Sequence, residues 1–161
     1  NVHYGPLTAI TGGIAVASND ALHLRITPEG VTHHRGATVI SETIPWSDII
    51  GIEVNLPSSW FPWPGALATT GYALVTLLSG QVEDVHSEES SITVSLADDK
   101  HLELPVNHAV GGYWKRAVTN AGILLNGFIA KPEQRSLLAH PEQVIHRYAN
   151  ATRWRTRLTS E

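Results

Sequence analysis

The sequence predicts a mainly β domain of the α+β class, and three features carry that expectation. Short apolar runs alternate at period two, as in Leu22-His23-Leu24-Arg25-Ile26, with Gly, Pro, Asn or Asp between them. Further on the period changes. Val110, Trp114, Ala117, Val118, Ala121, Leu124, Leu125 and Phe128 recur at the three- and four-residue spacing of one helix face. The third feature is the corner at residues 43–56, Thr-Ile-Pro-Trp-Ser-Asp-Ile-Ile-Gly-Ile-Glu-Val-Asn-Leu. Ile44 closes one strand there, Pro45 removes a ladder donor, and Ser47 and Asp48 supply turn-stabilising oxygens. The large ring of Trp46 sits at the bend, placed to plug one end of a small barrel.

In chain order, the apolar run 7–17 is too short, and too rich in Gly and Thr, for a membrane span of about 20 apolar residues. No positive segment precedes it, as a signal peptide requires. Residues 1–20 are therefore read as an extra N-terminal strand or an ordered tail. Strands follow at 22–26 and 31–35, joined by a Pro28-Glu29-Gly30 turn, and at 38–44, where β-branched residues dominate. The fourth strand, 49–56, sets Ile50, Ile52, Val54 and Leu56 on one face and Gly51, Glu53 and Asn55 on the other. The run 72–78 is apolar or small at nearly every position, which suits a strand covered on both sides. Residues 92–96 and 102–106 form a hairpin about Asp98-Asp99-Lys100.

The helix that follows is expected to be capped by Asn107 and to stop near Gly127. Gly111 and Gly112 weaken its first turn, which moves the start later. Residues 129–161 form a helical extension. One short segment opens at Lys131-Pro132-Glu133, and another helix opens at Pro141 and carries Val144, Ile145 and Tyr148. We expect those three side chains to pack on their own domain.

Composition bounds what such a chain can do. At 161 residues it suits one domain, here 21–128, with appendages at both ends. Hydrophobic residues make up 42% and charged residues 16%, a folded protein rather than a disordered one. The formal charge of −4, with its only basic cluster in the C-terminal tail, argues against nucleic acid as a partner. Cysteine is absent, which removes disulfides, thiolate metal sites and cysteine nucleophiles. Methionine is also absent, even at position 1, so we expect the chain to begin inside a longer gene product or to have been processed.

Leu24-Arg25-Ile26-Thr27-Pro28-Glu29-Gly30-Val31 as the first hairpin, the corner Ile44-Pro45-Trp46-Ser47-Asp48-Ile49 and the closing helix together resemble the bacterial pleckstrin-homology-like (PH-like) domain family over residues 21–128. The resemblance implies a seven-stranded, partly open barrel of two nearly orthogonal antiparallel sheets, plugged by the C-terminal amphipathic helix. It also implies a binding or assembly module, often beside membrane segments, with no catalytic activity following from the fold. Relatives that bind phosphoinositides carry Lys and Arg around the first hairpin loop. Here that loop is Thr27-Pro28-Glu29-Gly30, with only Arg25 and Arg35 nearby, so a phosphoinositide is not an expected partner.

Nine histidines invite a metal reading, with His33, His34, His86, His101 and Glu103 as its ingredients. His101 and Glu103 share a strand face, yet no His-Glu-x-x-His occurs, and His140 and His146 fall on different helix faces. Solvated or hydrogen-bonded histidines are the expectation, with no metal and no cofactor. No Gly-x-Ser-x-Gly elbow or Gly-rich phosphate loop supports an enzyme. The stretch 57–65 sets Trp60, Phe61 and Trp63 among prolines, where they either cap the barrel or meet a partner. An acidic connection, with Glu83, Asp84, His86, Glu88 and Glu89, reads as solvated.

The expected function is thus a non-catalytic PH-like module that mediates protein association through Trp60, Phe61 and Trp63. Its expected partner is another protein or a second copy of the chain, in the cytoplasm or at the inner face of the cell membrane. The alternative from another class is a small-ligand or metal-dependent enzyme on a small β-barrel. A deep polar pocket with converging His and carboxylates would favour it.

Overall fold

The computed structural model describes residues 2–60, 90–109 and 111–154. Within them β1 (His3–Tyr4), β2 (Leu7–Ile10), β3 (Gly13–Val16), β4 (Leu22–Ile26), β5 (Gly30–Arg35) and β6 (Thr38–Val39) pair in sequence order, and β7 (Ile44–Pro45) returns to β5. A 3₁₀ turn, Trp46–Asp48, leads into β8 (Ile49–Asn55) and then β9 (Ser58–Ser59). The second sheet has the order β11-β10-β8, from β10 (Ser91–Leu96) and β11 (His101–Pro105). β12 (Tyr113–Trp114) pairs in parallel with β9. Then come α1 (Lys115–Ala130), a 3₁₀ segment Pro132–Ala139, and α2 (Pro141–Trp154). Among the described residues the architecture is mainly β, with antiparallel sheets and no closed barrel. The expected strand at 72–78 lies outside them.

Residues 1–20 hold three strands where the sequence reading allows one. β3 pairs with β4 through Ile14↔Ile26 and Val16↔Leu24, so the first sheet continues through the N-terminal run. Gly5 makes the first corner at φ +54°, and a Cβ there would lie 2.8 Å from the Ala117 Cβ and 3.0 Å from the Tyr148 hydroxyl. The expected strand 38–44 is interrupted instead of continuous. The Ser41 hydroxyl accepts the His33 N–H at 3.3 Å and the Thr32 and Thr43 hydroxyls meet at 2.9 Å, side-chain bonds that take over from part of the ladder.

In β8 the expected alternation holds from Ile52 through Val54 to Leu56, with Glu53 and Asn55 exposed, and fails at the start of the strand. Ile49 and Ile52 are buried and Ile50 is exposed, because the register with β10 shifts between Ser95 and Leu96. Such a bulge places an extra residue on one strand and turns its side chain away.

α1 starts at Lys115, well after Asn107, since Gly111 and Gly112 hold φ +81° and +73°. Asn107 ties the sheets together: its Oδ1 accepts the Leu22 N–H at 3.0 Å, and its own N–H donates to the Leu22 carbonyl at 2.8 Å. Gly127 does not stop the helix. α1 runs on to Ala130 and ends where Lys131 precedes Pro132, a position biased away from helical backbone.

One core joins the two larger sheets, α1 and the C-terminal helical segment. Leu7, Ile14, Leu24 and Val31 of the first sheet, Ile52, Ile92 and Val94 of the second, and Ala121, Leu125 and Phe128 of α1 fall in a single buried cluster. Leu138, Val144, Ile145 and Tyr148 belong to it too, so the C-terminal segment packs on its own domain as expected. The Tyr148 hydroxyl donates to the Ala117 carbonyl at 2.6 Å, and its ring meets Tyr4 edge-on at 5.7 Å. Asn126 joins α1 to β8: its Nδ2 donates to the Ile52 carbonyl at 2.7 Å and its Oδ1 accepts the Ile52 N–H at 3.1 Å. Trp46 is buried at the corner. Its Nε1–H donates to the Thr27 carbonyl at 2.9 Å, its ring lies 6.2 Å from Phe128, and the Arg135 guanidinium sits 5.1 Å from its centroid.

Candidate functional site

Trp60 follows β9 directly, and what holds β9 is the turn before α1. At φ +73° Gly112 brings its backbone against Pro57, where a Cβ would lie 2.5 Å from the Pro57 carbonyl oxygen. The next N–H, from Tyr113, donates to that oxygen at 2.9 Å. Tyr113 is buried, and its hydroxyl accepts the Ala109 N–H at 3.1 Å; burial raises its pKa above the ordinary tyrosine value. The parallel pairing Tyr113↔Ser58 and Trp114↔Ser59 then sets Trp60 beside the first turn of α1.

The Trp60 side chain is 79% exposed, with the Lys115 Nζ 4.1 Å from its ring centroid. Arg116 stands 5.7 Å from the Trp114 ring. A cation over an exposed aromatic face gives a patch that is apolar and positive at once, suited to an apolar group with an acidic neighbour. Phe61 and Trp63, the other two residues expected at this surface, lie outside the described residues, as does the acidic connection 83–89.

The histidines take other places. His101 and Glu103 are exposed on β11, and His101 Nδ1 lies 2.9 Å from the Ser95 hydroxyl. His33 is buried and its Nε2 lies 2.7 Å from the Pro105 carbonyl oxygen, which makes that nitrogen a donor. His34 stacks on His23 across the β4–β5 pair with ring centroids 5.6 Å apart. His23 Nδ1 lies 2.9 Å from the Ala21 carbonyl oxygen, and its Nε2 accepts from Arg25 Nε at 3.3 Å. Burial lowers the pKa of both His23 and His34, and the Arg25 charge acts in the same direction. The buried Nδ1 of His34 has no hydrogen-bond partner among the described residues. His86 lies outside them, and among them no three His, Asp or Glu side chains gather as a metal site would need.

The first hairpin loop closes on itself. Thr27 and Gly30 exchange backbone bonds of 2.9 and 3.2 Å, and Arg25 turns to His23 and the Gly36 carbonyl, away from the role of a phosphate clamp. A polar cavity of about 490 Å³ between the β2–β3 turn and the start of α2 brings in His140 and Glu142, both exposed. One histidine and one carboxylate in open solvent lack the buried, convergent polar groups of an enzyme pocket. No helix among the described residues is long and apolar enough to cross a membrane.

Trp60 is legible in the sequence, but its partner is not. Lys115 lies 55 positions away, and only the parallel β9–β12 pairing puts the two together. The His23–His34 stack depends likewise on register, since the 22–26/31–35 hairpin places those residues opposite each other. No family model, curated protein or solved structure matches this chain.

Proposed function

We propose that this protein is a non-catalytic binding module of PH-like type, which holds a protein partner, or a second copy of itself, on the face around Trp60. The observation that carries the reading is a tryptophan 79% exposed on a stretch whose preceding residues, Pro57 to Ser59, are held by backbone pairing to Tyr113 and Trp114, with Lys115 over its ring. A large ring left in water costs free energy in the free protein and returns it when a partner covers it. The PH-like assignment is supported by the order of elements: hairpin-linked strands from Leu22, the Trp46 corner, a second antiparallel sheet, and a helix packed on it.

Sedimentation across a concentration range and pull-down with a candidate partner test the reading. Trp60→Ala should weaken the contact by about 2 kcal/mol or more, roughly thirtyfold, with the unfolding midpoint unchanged. Unchanged association in a folded variant would move the surface elsewhere. Loss of the fold would make Trp60 a cap.

A further inference from the structure

A second concave surface lies away from Trp60, where α1, the 3₁₀ segment and α2 meet. It is a groove of about 170 Å³ lined by Ile123, Leu124, Leu137 and Val144, with the buried rings of Phe128 and Tyr148 beneath them. The base offers no polar atom to a ligand, because the Tyr148 hydroxyl is already committed to the Ala117 carbonyl. Lys131 and Arg147 line the groove, and neither forms an ion pair with a carboxylate among the described residues. Both are donors without acceptor capacity, and the third polar lining residue, Gln134, can donate as well, so the lining favours a polar end that accepts hydrogen bonds and carries negative charge.

Gly127 gives an independent indication. It sits inside α1 with an ordinary backbone angle, and a Cβ added to it would meet nothing within 4 Å. Neither a left-handed turn nor a close neighbour requires glycine there, and glycine is unfavourable in a helix interior. What its missing side chain does is leave the groove open. Gly122 on the same helix also faces open space but does not line the groove, which makes it a control.

We propose that this groove binds a small amphipathic carboxylate, its apolar end against Ile123, Leu124 and Leu137 beside Gly127 and its anionic head held by Lys131 and Arg147. The volume sets the size of the apolar end: an apolar cavity of roughly 150 Å³ takes up one benzene. An aryl-alkyl or short acyl acid therefore fits, and a long-chain lipid does not.

The probes are 3-phenylpropionate and its neutral counterpart 3-phenylpropanamide, titrated into the full chain by calorimetry and by NMR of the α1 amides. Saturable one-to-one binding is expected, with the acid about tenfold tighter than the amide, as charge-assisted bonds to one half-buried and one exposed cation allow. Lys131→Gln combined with Arg147→Gln should erase that tenfold difference while leaving amide binding in place. Gly127→Leu should abolish binding of both probes, and Gly122→Ala should leave both unchanged. Absence of saturable binding, equal affinity for acid and amide, or undiminished binding in Gly127→Leu would each overturn the proposal. So would binding confined to acetyl-Asp-Phe-amide, which would make the groove a peptide site. If Gly127→Leu fails to fold, the surface pair Lys131 and Arg147 still decides the matter.

Discussion

Replacing Trp46 tests how the corner is held. Its ring is 4% exposed, so Trp46→Ala removes a buried indole from a cluster shared by both sheets and α1. Truncations of this kind cost about 3–5 kcal/mol. Trp46→Phe separates the contributions. It keeps a ring near Phe128 but loses the N–H that donates to the Thr27 carbonyl at 2.9 Å. That carbonyl still accepts the Gly30 N–H at 3.2 Å, so it is not orphaned, and the loss should be an ordinary hydrogen bond of about 0.5–1.5 kcal/mol plus a small packing defect. The assay is urea unfolding followed by far-UV circular dichroism. With a slope near 2 kcal/mol per M, Trp46→Ala should lower the midpoint by about 2 M and Trp46→Phe by under about 1 M, at unchanged slope. A Trp46→Ala shift below about 0.5 M would mean that the ring is not an anchor. Equal shifts for the two variants would refute the division into ring packing and hydrogen bond.

Two further predictions concern polar groups within the fold. His23 and His34 are held neutral by burial, their pKa values below the ordinary 6.5; the Arg25 charge acts in the same direction, and for His23 the hydrogen bond to the Ala21 carbonyl acts against it. Groups of this kind contribute stability that is complete above about pH 6.5 and fades as pH falls toward their folded values. The urea midpoint should therefore drop between pH 7 and pH 5, less steeply in His23→Gln with His34→Gln; an equal slope in that double variant would exclude the pair as the cause. Asn126→Ala removes both amide bonds to Ile52 and should cost about 2 kcal/mol. Hydrogen exchange at Ile52 would rise with it, and an unchanged Ile52 amide would show that the clamp is dispensable.

Local signals made most of the strands legible. Leu22–Ile26, Ser91–Leu96 and His101–Pro105 lie within a residue or so of where period-two alternation and turn residues put them, because a half-buried strand must show that alternation. Pro141 likewise marked the start of α2, since proline suits a first helical turn. Signals of local backbone chemistry were weaker where a distant contact competed. Asn107 has the chemistry of a helix cap, but Leu22 of β4 claims it. Ile50 has the right parity for the core, but a bulge against β10 turns it to solvent.

By itself, then, the sequence determined the class of the protein, its strand-then-helix order, the corner at Trp46, and the presence of an aromatic stretch at Trp60. All of these follow from side-chain periodicity and from the limits that Pro and Gly place on nearby backbone. Only the tertiary structure decided that the N-terminal run adds β1, β2 and β3 to the first sheet. The same holds for the meeting of Lys115 with Trp60, the stacking of His23 on His34, and the groove left beside Gly127. Each depends on register or on packing between segments far apart in the chain. Those are set by how whole faces fit together, and a local pattern of residues does not encode that fit.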